Sequence, residues 1–221
     1  MNENTHINIF KYWYIVLGIL AAIGLVGYGI AYLVVMPQVS PNTFVPVTLE
    51  NINSGPKYFG IIQPVFVLLY AFAFLPVTIM FTIRQYNKNP YAIVFTGCLI
   101  TVSSLIEILN NLPLLAALIY PIKPGAIPAN VLLYLIQMKS INFLSYDVAG
   151  FMLIYIAFFV YGIIYYQSHK WLMLTIIGSI VLFILNVPFL WFNPNMAVIL
   201  MVLSIFALAP FPIFLAKEAI Q

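Results

Sequence analysis

Residues 91–119, YAIVFTGCLITVSSLIEILNNLPLLAALI, carry one charged side chain, Glu107. A helix rising about 1.5 Å per residue needs about 20 mostly apolar residues to cross roughly 30 Å of hydrocarbon, and this stretch is longer than that. It reads as a transmembrane helix. Working outward, the same test selects five more spans: Trp13–Val35, Phe59–Ile83, Leu144–Tyr166, Trp171–Leu190 and Met196–Ala216. Across all 221 residues the chain is 64% hydrophobic and 6% charged. An ordinary soluble domain carries roughly a quarter charged residues, so lipid has to face most of this exterior. The expected fold is all-α, a polytopic transmembrane helix bundle of about six spans in the cell membrane, with residues 1–221 as one domain.

The connections support that count. MPQVSPNTFVPVTLENINSGPK, 36–57, is rich in helix breakers and makes a long extramembrane loop. RQYNKNP, 84–90, is short, and its Pro90 suits the first turn of the next helix. QSHK, 167–170, and FNPN, 192–195, are shorter still. In the third connection YPIKPGAIPAN is loop, and the apolar run that follows is too short to cross. Val131 to Met138 is therefore expected as an interfacial or re-entrant helix; a seven-span arrangement would need it to cross.

Six spans put both termini on one side. With the termini cytoplasmic, Lys11, Arg84, Lys88, Lys170 and Lys217 fall inside and Lys57, Lys123 and Lys139 outside. That bias follows the positive-inside rule and predicts N-in/C-in topology. Tyr12, Trp13, Tyr91, Tyr165, Tyr166, Trp171 and Trp191 near span ends fit aromatic belts. The N-terminal apolar segment exceeds a secretory h-region and no small-x-small cleavage site follows, so it is expected to remain as the first span. Glycines 18, 24, 27 and 29 in that span suit close helix packing.

Several function classes lack their residues. Basic side chains are scattered singly, with no run of the kind that binds nucleic acid. Cys98 has no partner for an internal disulfide, and His6 and His169 lie outside the hydrocarbon, away from any haem or zinc constellation. No P-loop, dinucleotide fingerprint, HExxH or GxSxG occurs, and a serine nucleophile at the depth of Ser103 or Ser104 would have no histidine base. The expectation is a protein without cofactor or metal and without catalytic residues.

The informative residues are polar ones that lipid should exclude. SSLIEILNNLP places Ser103, Ser104, Glu107, Asn110 and Asn111 three or four apart, on one helix face. Counted from the cytoplasmic end, Glu107 lies roughly 24 Å along its helix, in the outer half. Asp147 lies a few residues inside the outer end of the fourth span, Asn186 in the fifth reaches a depth like that of Glu107, and Gln63 lies near the outer start of the second. Glu107, Asn110, Asn111, Asp147 and Asn186 are thus candidate ligand-binding residues of a shared outward-facing pocket. A neutral carboxyl is the cheaper form in hydrocarbon, so Glu107 is expected to donate a hydrogen bond to an amide such as Asn186. The competing reading is that these groups only join helices, each bond contributing about 0.6–2 kcal/mol.

From Tyr146 onward, YDVAGFMLIYIAFFVYGIIYYQSHKWLMLTIIGSIVLFILN resembles the later half of an uncharacterised family of six-span bacterial and archaeal membrane proteins. Gly162, Ser168 and Gly178 are the matching positions, while QSHKW stands where the family usually carries a proline. The resemblance implies the six-span fold and no activity. Function is therefore read from the polar residues. The leading expectation is a bundle that binds or moves a small or amphipathic ligand. The alternative is an accessory subunit of a larger membrane complex, its polar stripe turned toward neighbouring chains.

Overall fold

The computed structural model describes residues 3–35, 57–119 and 149–220. The loop 36–56, the Val131 to Met138 segment and Asp147 lie outside the described residues. Among those described the secondary structure is helix and turn. The helices are α1 (Glu3–Val35), α2 (Lys57–Gln85), α3 (Pro90–Ile119), α4 (Ala149–Ile164), α5 (Lys170–Phe192), α6 (Pro194–Leu208) and α7 (Pro210–Ile220).

Four stretches are long and apolar enough to cross a membrane: Tyr12–Ala31, Pro64–Gln85, Pro90–Leu112 and Ile199–Ile220. Within the described residues α4 and the apolar part of α5, Lys170–Asn186, are apolar but shorter. This helical bundle suits a membrane-embedded protein. Its side chains are arranged accordingly: α3 turns Val102, Leu105, Leu109 and Leu112 outward and keeps Ser103, Ser104, Glu107 and Asn111 buried. A water-soluble helix would do the reverse.

Two helix starts share one local device. Asn89 precedes Pro90, and its Oδ1 accepts from the Ala92 N–H at 3.3 Å. Asn193 precedes Pro194, and its Oδ1 accepts from the Met196 N–H at 3.2 Å. The amide oxygen satisfies an amide that the first turn leaves unbonded, and proline occupies a position where no N–H is needed.

Two boundaries differ from the sequence expectation. α1 begins at Glu3 rather than near Trp13. No proline or glycine interrupts 3–13, so the helical ladder runs beyond the apolar segment. The stretch expected as one span, Met196–Ala216, falls mostly within one crossing length, Ile199–Ile220, but its helix divides at Ala209. Pro210 has no N–H for the Phe206 carbonyl, and the Ala209 N–H bonds to that carbonyl instead, at 3.2 Å. Ala209 keeps right-handed helical angles (φ −55°, ψ −33°), so the chain continues in α7 with the ladder interrupted.

The core lies between α2, α4 and α7. Phe74 and Phe81 of α2 meet Phe158 and Tyr161 of α4 edge-on, and Phe158 packs on Phe211 of α7 with centroids 3.8 Å apart. Close packing of α1 uses its glycines: Gly24 lies on the Tyr70 backbone and Gly27 on the Phe66 ring, both in α2, while Gly18 faces Ala216 of α7 and Gly29 faces Phe206 of α6. Lipid provides no hydrophobic drive between helices, so such close van der Waals contact is a main source of association.

One end of the bundle gathers the start of α1, the α2–α3 turn, the α4–α5 turn and the end of α7. Exposed Tyr12, Trp13, Tyr86, Tyr91, Tyr166 and Trp171 all belong to this end, as an interfacial aromatic belt requires. Beneath them, Glu218 of α7 is buried, with Lys88 Nζ at 3.8 Å and His169 Nε2 at 4.0 Å from its carboxylate. Gln85 Nε2 donates to the Glu218 carbonyl oxygen at 2.6 Å. Lys88 also stands over the Tyr165 ring, 5.3 Å from its centroid. Because Lys88 is more than half exposed, Lys88→Met should cost under about 1 kcal/mol and lose its effect in high salt. Gln85→Leu removes a buried bond and should cost about 1–2 kcal/mol at any salt. Thermal unfolding in detergent at low and high salt checks both; equal salt sensitivity of the two variants would contradict the assignment.

Candidate functional site

The α3 stripe is built by helical spacing. Ser104, Glu107 and Asn111 follow at i, i+3 and i+7, and Ser103 sits one turn before Glu107. All four are buried, Glu107 to 2% and Asn111 to 1% exposure. Asn110, on the flank of the same face, is only half-buried.

Asn111 Nδ2 donates to the Glu107 backbone oxygen at 3.0 Å and to Glu107 Oε2 at 3.3 Å. That commits the NH₂ end of the amide and leaves Oδ1 directed elsewhere. Ser103 Oγ donates to the Gly150 carbonyl at 2.8 Å, which ties α3 to the start of α4. Gly150 makes room for the acid: a Cβ there would stand 2.7 Å from Glu107 Oε1. From α2, the buried Tyr70 lies within electrostatic range of Glu107 and of Tyr155.

A second polar group joins α4, α5 and α6. Ser179 Oγ donates to the Ser204 carbonyl at 2.7 Å, and Ser204 Oγ donates to the Ser179 carbonyl at 3.0 Å. The Tyr155 hydroxyl bonds to Ser204 Oγ. Further along α5, Asn186 Nδ2 meets Met201 Sδ at 3.5 Å.

The structure thus brings Glu107 and Asn111 into direct contact and sets Asn110 beside them. Asn186 Nδ2 donates to Met201 Sδ across the α5–α6 seam, and its Oδ1, which the sequence expectation had accept from Glu107, has no hydrogen-bond partner among the described residues. Asp147 and the Gln63 side chain are outside the described residues. Sequence reasoning missed Tyr70, Gly150, Tyr155, Ser179 and Ser204. Tyr70 sits in LLYAFAF, and nothing in that run separates a site hydroxyl from a core ring. Ser179 and Ser204 carried a signal, since each is a hydroxyl well inside an apolar span: Ser204 is alone in Met196–Ala216, and Ser179 shares Trp171–Leu190 with Thr175 one turn earlier.

Three side-chain oxygens near the acid, Tyr70 OH, Ser104 Oγ and Asn111 Oδ1, are buried and have no hydrogen-bond partner among the described residues. Asn186 Oδ1 shares that condition. The described residues contain no group of three or more His, Cys, Asp or Glu that could hold a metal ion. Such an arrangement can bind by hydrogen bonds and by the charge of one carboxyl group. No family model, curated protein or solved structure matches this chain.

Proposed function

We propose that the chain is a six-span membrane protein, with both termini cytoplasmic, that binds or moves a small or amphipathic ligand through a polar site centred on Glu107. The observation that supports this reading is the direction of the α3 stripe. Its acid, amide and hydroxyls are buried in the bundle, whereas a subunit-docking stripe would lie on the face now occupied by Leu105, Leu109 and Leu112. Intramembrane carboxyl groups that face a bundle interior mark ligand or ion pathways by default. The clustering of Lys88, Lys170 and Lys217 with the aromatic belt at one end supports the cytoplasmic placement of that end.

Ser104→Cys in a Cys98→Ser background tests the pathway, because the thiol replaces a hydroxyl at the site with little change of volume. Charged thiol reagents that do not cross membranes should label it from the outside of intact cells. Labelling only from the cytoplasmic side would reverse the opening, and no labelling from either side would sink the reading. A second cysteine at Ser54, in the 36–56 loop, should react from outside and reports the orientation independently.

A further inference from the structure

We infer that the aromatic-belted end of the bundle binds anionic phospholipids of the adjoining leaflet through the exposed side chains of Arg84, Lys170 and Lys217. The surface is separate from the Glu107 stripe and stands without it. Each cation ends a helix face that is turned outward and apolar. Lys170 opens α5, and exposed Leu174, Ile177 and Val181 follow it at i+4, i+7 and i+11. Lys217 comes one turn after exposed Ile213 in α7, and Arg84 directly follows exposed Ile83 in the last turn of α2. Such side chains lay their aliphatic stems along apolar surface and carry the charged head to the headgroup level. Exposed Tyr86 and Trp171, two and one residues on from Arg84 and Lys170, mark that level.

No exposed acid balances these charges among the described residues. Glu107 and Glu218 are the acids with described side chains, and both are buried. Glu218 takes Lys88 and His169 as its neighbours, at 3.8 and 4.0 Å. That carboxylate gathers the α2–α3 and α4–α5 turns at the end of α7, which brings Arg84 and Lys170 to the same end as Lys217. None of these three has an ion pair among the described residues. The exposed charge described at this end is therefore positive only. A zwitterionic headgroup carries its own ammonium group to such a surface, whereas an anionic one arrives with a negative charge unopposed. Each basic side chain near an anionic leaflet strengthens association by about 5-fold.

The test places the full chain in phosphatidylcholine vesicles with a trace of spin-labelled phosphatidylglycerol or spin-labelled phosphatidylcholine, and reads the motionally restricted fraction of each label. The parent should favour phosphatidylglycerol roughly 2–5-fold at low salt and less at high salt. Combining Arg84→Gln, Lys170→Gln and Lys217→Gln should remove most of that preference. Lys170→Arg with Lys217→Arg, which keeps the charge, should retain it. Lys57→Gln is the control for net charge, because Lys57 opens α2 at the opposite end of that helix from Arg84; it should leave the preference nearly unchanged. If the triple variant does not reconstitute, the three single variants decide, each losing a part. Equal restriction of the two labels in the parent overturns the inference and leaves the patch to an acidic protein partner. Full preference in the triple variant, or in all three single variants, overturns it as well. So does a loss in Lys57→Gln as large as in Lys170→Gln, which would reduce the effect to overall charge.

Discussion

Gly24→Ala is expected to destabilise the bundle by about 1–3 kcal/mol, the usual cost of forcing extra volume into a packed interior. A Cβ at Gly24 would stand 2.5 Å from the Tyr70 backbone nitrogen and 2.8 Å from the Phe66 carbonyl oxygen. Those are backbone atoms of α2, which cannot rotate aside as a side chain can. Relief would require α1 and α2 to separate along their seam, and the displaced segment of α2 is the one that presents Tyr70 to Glu107. Gly178→Ala is the matching control. Nothing lies within 4 Å of a Cβ there, so the substitution gains helix propensity of up to about 1 kcal/mol without a clash. Thermal unfolding in detergent should lower Tm for the first variant and hold or raise it for the second. Equal shifts would mean that α1 and α2 do not approach each other this closely.

The same pair of glycines shows how far composition reaches. That α1 is a packing helix was legible in Gly18, Gly24, Gly27 and Gly29, because small residues in a span allow backbones to meet. Which partner each one meets was not. Gly24 and Gly27 face α2 while Gly18 and Gly29 face α7 and α6, and that division depends on the azimuth of every neighbouring helix. Spans are selected by water, a force the sequence registers residue by residue as hydropathy. Neighbours inside lipid are selected by shape and by hydrogen bonds, which no single residue encodes.

The candidate site divides along the same line. The i, i+3, i+7 spacing on α3 was sufficient to place Ser104, Glu107 and Asn111 on one face, and the face is buried as a polar stripe in lipid should be. Tyr70 and Gly150 come from other helices, and their roles exist only after α2 and α4 have docked. Depth counting gave Asn186 a depth like that of Glu107, yet depth fixes only one coordinate of three, and the hydrogen bond that Asn186 makes is to Met201. Glu218 was not singled out from the sequence. Nothing in KEAIQ, 217–221, names a partner for the acid, yet α7 buries it against Gln85, Lys88 and His169. The break at Ala209 lies in ALAPFP, where hydropathy does not change, so the apolar crossing stretch Ile199–Ile220 continues through it while the helical ladder is interrupted.

Removing both hydroxyls from the α5–α6 seam, with Ser179→Ala and Ser204→Ala together, should cost about 2 kcal/mol. Two losses contribute. The seam loses the reciprocal bonds from each serine to the other's carbonyl, and helix–helix bonds in membranes average roughly 0.6 kcal/mol with a maximum near 1.7. The greater loss falls on the Tyr155 hydroxyl, which is buried in α4 and bonds to Ser204, with Ser179 beside it. Stripped of both serines, that hydroxyl stays in an apolar interior with no acceptor, and an orphaned buried group costs about 1–3 kcal/mol. The asymmetry yields a sharp expectation. Adding Tyr155→Phe to the double variant removes the orphan, so the triple variant should unfold at a higher temperature than the double, while Tyr155→Phe alone lowers Tm relative to the parent. The sign of the Tyr155→Phe effect therefore reverses with its partners, which simple additivity forbids. A triple variant less stable than the double would show that Tyr155 contributes by packing against Phe183 and not through its hydroxyl.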